Sequence, residues 1–214
     1  MFNLSDQDLQ RKILDCAGGP ASFNAEMTEA GYTVISCDPI YQFSAHDIAK
    51  RIEETSSTIL QKVEANQQQF VWNEIQSPQH LVEIRMTAMR QFLADFPDGL
   101  QQKRYLTDAL PNLSFTAGQF DLALCSHFLF TYSDQLSLEF HLAAIQEMSR
   151  VAQEVRIFPL LVNMTGEVSP FLNPVIKELR AMGYGVQIQT VPYEFQRGGN
   201  QLLQINPPSN RDRS

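Results

Sequence analysis

Ile13-Leu14-Asp15-Cys16-Ala17-Gly18-Gly19-Pro20-Ala21-Ser22-Phe23 is the stretch whose reading decides the fold. It reads as a short buried strand over residues 12–16, a glycine turn and the first turn of a helix. Gly18 and Gly19 carry no Cβ, so the main chain there is open to close approach by a ligand. The first amide N–H groups of the following helix have no partner inside it and favour an anion. A second strand, over 32–37, ends in Asp38. An acidic residue about 20 positions beyond a glycine turn is placed to accept hydrogen bonds from a ribose. Pro39 and Ile40 follow, where they would give a base an apolar wall. The stretch is therefore expected to bind a nucleoside-containing cofactor.

Composition narrows the class. The 214 residues suffice for a single α/β domain with a full core, and 43% are hydrophobic. The net charge of −8 argues against a nucleic-acid-binding surface. No apolar run reaches the length of a membrane-spanning helix, and residues 1–12 lack the pattern of a signal peptide. The three cysteines, Cys16, Cys37 and Cys125, fall at strand ends. They suit a reduced, cytoplasmic protein, and without the close paired spacing of zinc motifs no metal site is expected from them and His127.

Outward from the opening stretch, the pattern alternates strand and helix. A short helix over 3–11, capped by Ser5, precedes the glycine turn, and no separate N-terminal domain is expected. Residues 42–103 are longer than one crossover helix needs. Ser44 starts a helix with Ile48, Ile52, Ile59 and Val63 on one face, and Ser77-Pro78 starts another carrying Leu81, Ile84, Met89, Phe92 and Phe96. This segment is expected to be a helical insertion or cap beside the cofactor. Within it, Trp72 and Arg85 are candidate acceptor contacts. Arg85 would hold an anionic group, or else snorkel or pair with a carboxylate. A third strand spans 104–107, a fourth 120–125, a fifth 155–162, and helices cover 134–151 and 170–182. Strands over 186–191 and 202–205 close the chain as a hairpin. At its tip, Glu194 and Arg197 either face substrate or form a solvated salt-bridged turn. Residues 1–206 read as one domain and 207–214 as a disordered tail.

Asp15-Cys16-Ala17-Gly18-Gly19-Pro20-Ala21 resembles the D-x-G-x-G-P-G loop of class I S-adenosylmethionine-dependent methyltransferases. Ala17 and Ala21 stand at two of the glycine positions, which is tolerable where φ is negative. Phe120-Asp121-Leu122-Ala123-Leu124 resembles the family's fourth-strand pattern, preceded by an acidic residue and L-P-F. The resemblance implies a doubly wound, mostly parallel seven-stranded sheet of order 3-2-1-4-5-7-6, interrupted by the helical insertion at 42–103. It implies S-adenosylmethionine as cofactor. Asp15, Ala17, Gly18 and Gly19 would meet its methionine part, and Asp38 its ribose. Pro39, Ile40, Ala109 and Leu110 would flank adenine, whose amino group is read either by Asp108 or by the backbone of Ala109 and Leu110. Ser126 and His127 would lie near the methyl group, with His127 the candidate general base or substrate hydrogen-bond partner, or else a histidine satisfied by backbone at a strand end. The implied reaction is methyl transfer to a small, partly apolar acceptor. A non-catalytic S-adenosylmethionine-binding protein and a nicotinamide-dependent dehydrogenase remain alternatives.

Overall fold

The computed structural model describes residues 1–208. Residues 209–214, most of the tail expected to be disordered, lie outside the described residues. Four strands form the middle of the sheet: β1 (Ile13–Cys16), β2 (Val34–Cys37), β4 (Leu122–Ser126) and β5 (Val155–Phe158). A two-residue β3 (Tyr105–Leu106) lies at one edge, and β6 (Gly185–Thr190) and β7 (Gln201–Asn206) at the other. The order is β3-β2-β1-β4-β5-β7-β6. The first five strands run parallel, and β7 is antiparallel to both its neighbours. This is the class I methyltransferase fold.

The central strands are near-continuous apolar runs because helices cover both faces. Alternate residues feed two cores. Ile13, Val34, Leu122 and Leu124 pack with Met27 of α2 (Phe23–Glu29) and with residues around α1 (Asp6–Leu9). Leu14, Cys16, Cys37, Ala123 and Cys125 pack on the opposite face. There they meet Ile145 and Met148 of α5 (Leu138–Val151), and Val175 and Leu179 of α6 (Leu172–Ala181).

The segment between β2 and β3 folds as a helical hairpin, α3 (Ala45–Ala65) and α4 (Pro78–Gln101). Ser44 and Ser77 cap these helices, their hydroxyls accepting from the amides of Asp47 and His80. The pair clamps the β3 edge through a third core of Tyr41, Ile48, Ile52, Phe92, Phe96 and Tyr105. The Tyr41 ring lies 5.1 Å from Tyr105 and 5.7 Å from Phe96. The connection between α3 and α4 reaches the other side of the fold. The Val71 amide donates to Phe195 O at 2.7 Å and the Arg197 amide to Gln69 O at 2.8 Å. Phe70 stacks on Phe195 at 4.8 Å.

Three elements are shorter than the sequence pattern suggests. α1 is a single turn, opened by a capping box between Ser5 and Asp8 and ended at Gln10. β5 ends at Phe158, before Pro159, which has no N–H to continue the ladder. β3 pairs over only two residues, since Asp108 already turns away to bind Ser114.

At the amino-terminal edge of the sheet an ion network ties α1 to β5. Arg156 donates to Asp8 Oδ1 at 2.9 Å and to Glu154 Oε1 at 2.6 Å, and Arg11 bridges Glu154 at 2.8 Å and Asp8 at 3.1 Å. Burial pushes the Asp8 carboxyl up, but hydrogen bonds from Ser5, Arg156 and Arg11 outweigh it and hold it well below the usual carboxylate range. Removing Arg156 leaves two buried carboxylates sharing the single cation of Arg11. Arg156→Ala should therefore lower unfolding free energy by about 3 kcal/mol in a urea titration; a change within a few tenths would show the network to be dispensable.

Candidate functional site

Register sets the site. Cys16 lies level with both Cys37 and Cys125, so the loops after β1, β2 and β4 leave the sheet side by side at its carboxyl edge. There Asp15, Ala17, Gly18, Gly19, Asp38, Ser126 and His127 come together.

The glycine turn is locked from three sides. Gly19 N–H donates to Asp38 Oδ2 at 3.0 Å, and Ile40 N–H to Asp38 Oδ1 at 2.8 Å. Tyr41 Oη donates to Gly19 O at 2.9 Å. A Cβ on Gly18 would run into the Asp15 carboxylate and the Tyr41 hydroxyl, so glycine is required there by close approach. Gly19 has φ +57° and would meet no protein atom within 4 Å of a Cβ. Its free side is a cradle open to a ligand.

Ala17 departs from expectation. Its φ is +54°, not negative, so an L-residue with a Cβ occupies the left-handed conformation. That conformation costs roughly 1–2 kcal/mol per non-glycine residue and is held by the surrounding bonds. His127 is also left-handed, at φ +50°. Its amide donates to Phe158 O at 2.7 Å, so the strain sits where β4 hands over to the next loop.

Asp15 is only 7% exposed. Ser36 Oγ donates to its Oδ2 at 2.8 Å. Behind Ser36 stands Asn24 of α2, which donates to Ser36 Oγ at 3.1 Å and accepts from Arg104 Nη1 at 2.6 Å. Arg104 in turn pairs with both oxygens of Asp95 on α4, at 2.6 and 2.7 Å. A buried polar chain thus runs from the α4 helix to the carboxylate under the glycine turn. Burial raises the Asp15 pKa to about 6; the Ser36 bond opposes the rise and the neighbouring Asp38 adds to it. Asp38 is raised too, chiefly by burial, against the two amide bonds it accepts.

Ser126 Oγ lies 2.8 Å from His127 Nδ1. The His127 ring is exposed to the cleft yet surrounded by protein at longer range. That burial, with the charges of Arg85 and the N-terminus, lowers its pKa to about 4. Met1 Sδ stands 4.0 Å from Ser126 Oγ, an approach by the N-terminus that the sequence pattern did not signal.

The remaining candidates divide. Pro39 is exposed, and Ile40 is half-buried with one side on the α3–α4 core. Asp108 Oδ2 accepts from the Ser114 amide and hydroxyl, at 2.9 and 2.6 Å, which closes the loop holding Ala109 and Leu110. Glu194 and Arg197 form no salt-bridged turn with each other: Glu194 Oε1 accepts from Gly198 N–H, and Arg197 Nε donates to Gln68 O, each at 2.8 Å. Both bonds tie the hairpin tip. Trp72 Nε1 donates to Gln67 O at 2.9 Å and its ring packs on Phe195. Arg85 pairs with no carboxylate among the described residues. No grouping of His, Cys, Asp and Glu among the described residues is arranged to hold a metal.

Sequence reasoning missed Tyr41, Asn24 and Ser36. Tyr41 had a signal, standing just after the Asp38-Pro39-Ile40 triplet. Asn24 and Ser36 had none, because their roles depend on Arg104, far along the chain.

No family model matches the chain. It is 34% identical over 206 residues to the uncharacterized protein MJ0045 of Methanocaldococcus jannaschii, covering 96% of this chain and 90% of that protein. Among solved structures, magnesium protoporphyrin IX methyltransferase from Synechocystis PCC 6803 superposes with TM-score 0.49 at 12% identity, over 94% of this chain and 73% of that one. A methyltransferase from Methanosarcina mazei gives 0.48 at 14% identity, over 93% of each.

The Asp15 shift fixes a stability prediction. A raised pKa means the folded chain holds a proton that the unfolded chain releases. Ionising Asp15 therefore costs folding free energy as pH rises from about 4 through 6. Asp15→Asn removes that cost and should stabilise the ligand-free protein by about 2 kcal/mol at pH 7 but not at pH 4. Denaturant titrations at both pH values check it; an advantage independent of pH would contradict it.

Proposed function

The chain belongs to the same family as the M. jannaschii protein MJ0045, and from that premise and the site's geometry we propose that it is an S-adenosylmethionine-dependent methyltransferase acting on a small, partly apolar acceptor. The observation that carries the reading is the cradle at Gly19. Open space beside the Gly19 Cα, the Asp38 carboxylate bonded to the Gly19 amide and the buried Asp15 carboxylate are gathered at one turn. The residues present fit the cofactor. Asp15 offers a buried negative charge to a cationic amino-acid head, and its raised pKa is what a carboxylate awaiting a cation shows. Asp38 has lone pairs left for ribose hydroxyls after accepting its two amides. Ile40 and Leu110 supply apolar surface, and the main chain of Ala109 and Leu110 reads adenine while Asp108 is held by Ser114.

S-adenosylmethionine supplies an electrophilic methyl group, so the protein has to bind, orient and exclude water. His127 is our candidate base. Its low pKa keeps the ring neutral at pH 7. In the tautomer that donates Nδ1–H to Ser126 Oγ, Nε2 keeps a lone pair that can accept the acceptor's proton. The helices of 42–103 and their tie to the hairpin tip form a cap, with Trp72 and Arg85 on the acceptor side. A dehydrogenase reading fits less well: the sheet carries an antiparallel β7 between β5 and β6, where a dinucleotide fold continues in parallel. A small acceptor suits a chain of net charge −8 better than a nucleic acid does. Among the described residues no helix is long and apolar enough to cross a membrane. The three buried free cysteines lead us to place the protein in the cytoplasm.

Asp38→Ala should weaken S-adenosylhomocysteine binding by about 1–3 kcal/mol in calorimetry, with its melting transition still cooperative; unchanged affinity would remove Asp38 from the ribose site. His127→Ala should lower turnover while S-adenosylhomocysteine affinity stays unchanged. Equal turnover would leave a methyltransferase that needs no base at His127.

A further inference from the structure

The residues before α1 are anchored to the sheet. Arg156 Nη1 donates to Phe2 O at 3.3 Å. The Phe2 ring meets Phe158 edge-on, with centroids 6.2 Å apart. It packs with the core of Ile13 and Met27 and also with the cluster of Phe158, Val191 and Leu202. Asn3, left-handed at φ +47°, turns the chain between this anchor and the Ser5 cap. Arg156 and Phe158 belong to β5, and Phe158 stands level with Ser126 at the end of β4. The anchor therefore leads the chain to the carboxyl edge of the sheet.

There Met1 Sδ stands 4.0 Å from Ser126 Oγ, and the same hydroxyl lies 2.8 Å from His127 Nδ1. One serine thus touches both the Met1 thioether and the candidate base. Met1 and His127 are exposed and Ser126 is half-buried, so all three border open space. β4 lies beside β1, from which the glycine turn leaves. The sheet order reverses between these two strands, and ligands of open α/β sheets bind at such a point. Met1 belongs to none of the buried cores. Packing of the scaffold therefore does not explain its place. An unbranched, polarizable thioether is instead suited to adapt to the surface of a partner.

We propose that Met1, held by the Phe2 anchor, is a wall of the acceptor pocket where cofactor and acceptor meet. Its thioether covers the apolar flank of the acceptor, whose proton-bearing atom meets His127 Nε2. This rests on the methyltransferase reading above and narrows its acceptor. The flank beside the nucleophilic atom has to be apolar, since a charge there would be buried against sulfur without a partner.

Oxidation of methionine tests the placement, with Met182 as a matched control. Met182 is 44% exposed against 46% for Met1. It precedes β6, whose start lies level with the start of β5 across β7, at the opposite edge of the sheet. Dilute hydrogen peroxide transfers one oxygen to each thioether, giving the sulfoxide and water. The rates are read by mass spectrometry on the full chain, with and without saturating S-adenosylhomocysteine. The ligand should slow Met1 oxidation at least about threefold and leave Met182 unchanged. Phe2→Gln, which removes the aromatic anchor, should speed Met1 oxidation and abolish the protection. Its Met182 rate should stay that of the parent, and its S-adenosylhomocysteine affinity within about twofold. S-adenosylhomocysteine that binds in calorimetry without protecting Met1 overturns this inference and leaves the cofactor reading standing. Equal slowing of Met1 and Met182, or full protection of Met1 in Phe2→Gln, overturns it as well. Absence of any S-adenosylhomocysteine binding brings down the methyltransferase reading and this inference with it.

Discussion

A carboxylate buried beneath a glycine turn is the constraint on which the site depends. Asp15 lies almost wholly out of water, and one protein hydrogen bond, from Ser36, holds its Oδ2. Burying a charge without a full set of partners is costly. The fold tolerates it because Asn24, Arg104 and Asp95 brace Ser36 from behind, and because Gly18 lets the main chain lie flush against the carboxylate. The same turn holds Ala17 in a left-handed conformation that glycine would adopt at less cost. Strain and an under-satisfied charge at one turn are a pattern that ligand sites show more often than structural ones do.

The helical segment between β2 and β3 is part of this arrangement. Tyr41 has its ring in the α3–α4 core and its hydroxyl on Gly19 O. Asp95, on α4, starts the polar chain that ends at Asp15. Pulling the helices away would therefore disturb the glycine turn through two routes, one apolar and one polar. At the other end, the strand-like contact of Phe70 with Gln196 ties the segment to the β6–β7 hairpin.

What the sequence made legible was local. The run Ile13-Leu14-Asp15-Cys16 has no polar alternation, which a strand covered on both faces requires. Ser44 and Ser77-Pro78 mark helix starts because a hydroxyl cap and a first-turn proline act within one turn of chain. Those signals, with the resemblance of the glycine turn, sufficed for the sheet order. What stayed hidden was non-local. The Asn24–Arg104 bond spans distant segments, as does the pairing of Phe70 with Gln196. The Asp8–Arg156–Glu154–Arg11 network looks like scattered surface charge until α1 and β5 are brought together. The φ of Ala17 could not be read either, since nothing local to an alanine selects the left-handed region. Glu194 and Arg197, read from the sequence as facing substrate or forming a salt-bridged turn, each bond to backbone instead of to one another.

On the proposed function, the Gly19–Asp38 cradle should hold an adenosine-bearing cofactor over Asp15. A crystal structure of the protein with S-adenosylhomocysteine tests it most directly. The ribose hydroxyls should lie on the Asp38 carboxylate, the adenine between Ile40 and Leu110, and the amino group of the homocysteine moiety next to Asp15. Ligand bound elsewhere on the chain, with Asp38 still contacting only the amides of Gly19 and Ile40, would contradict it.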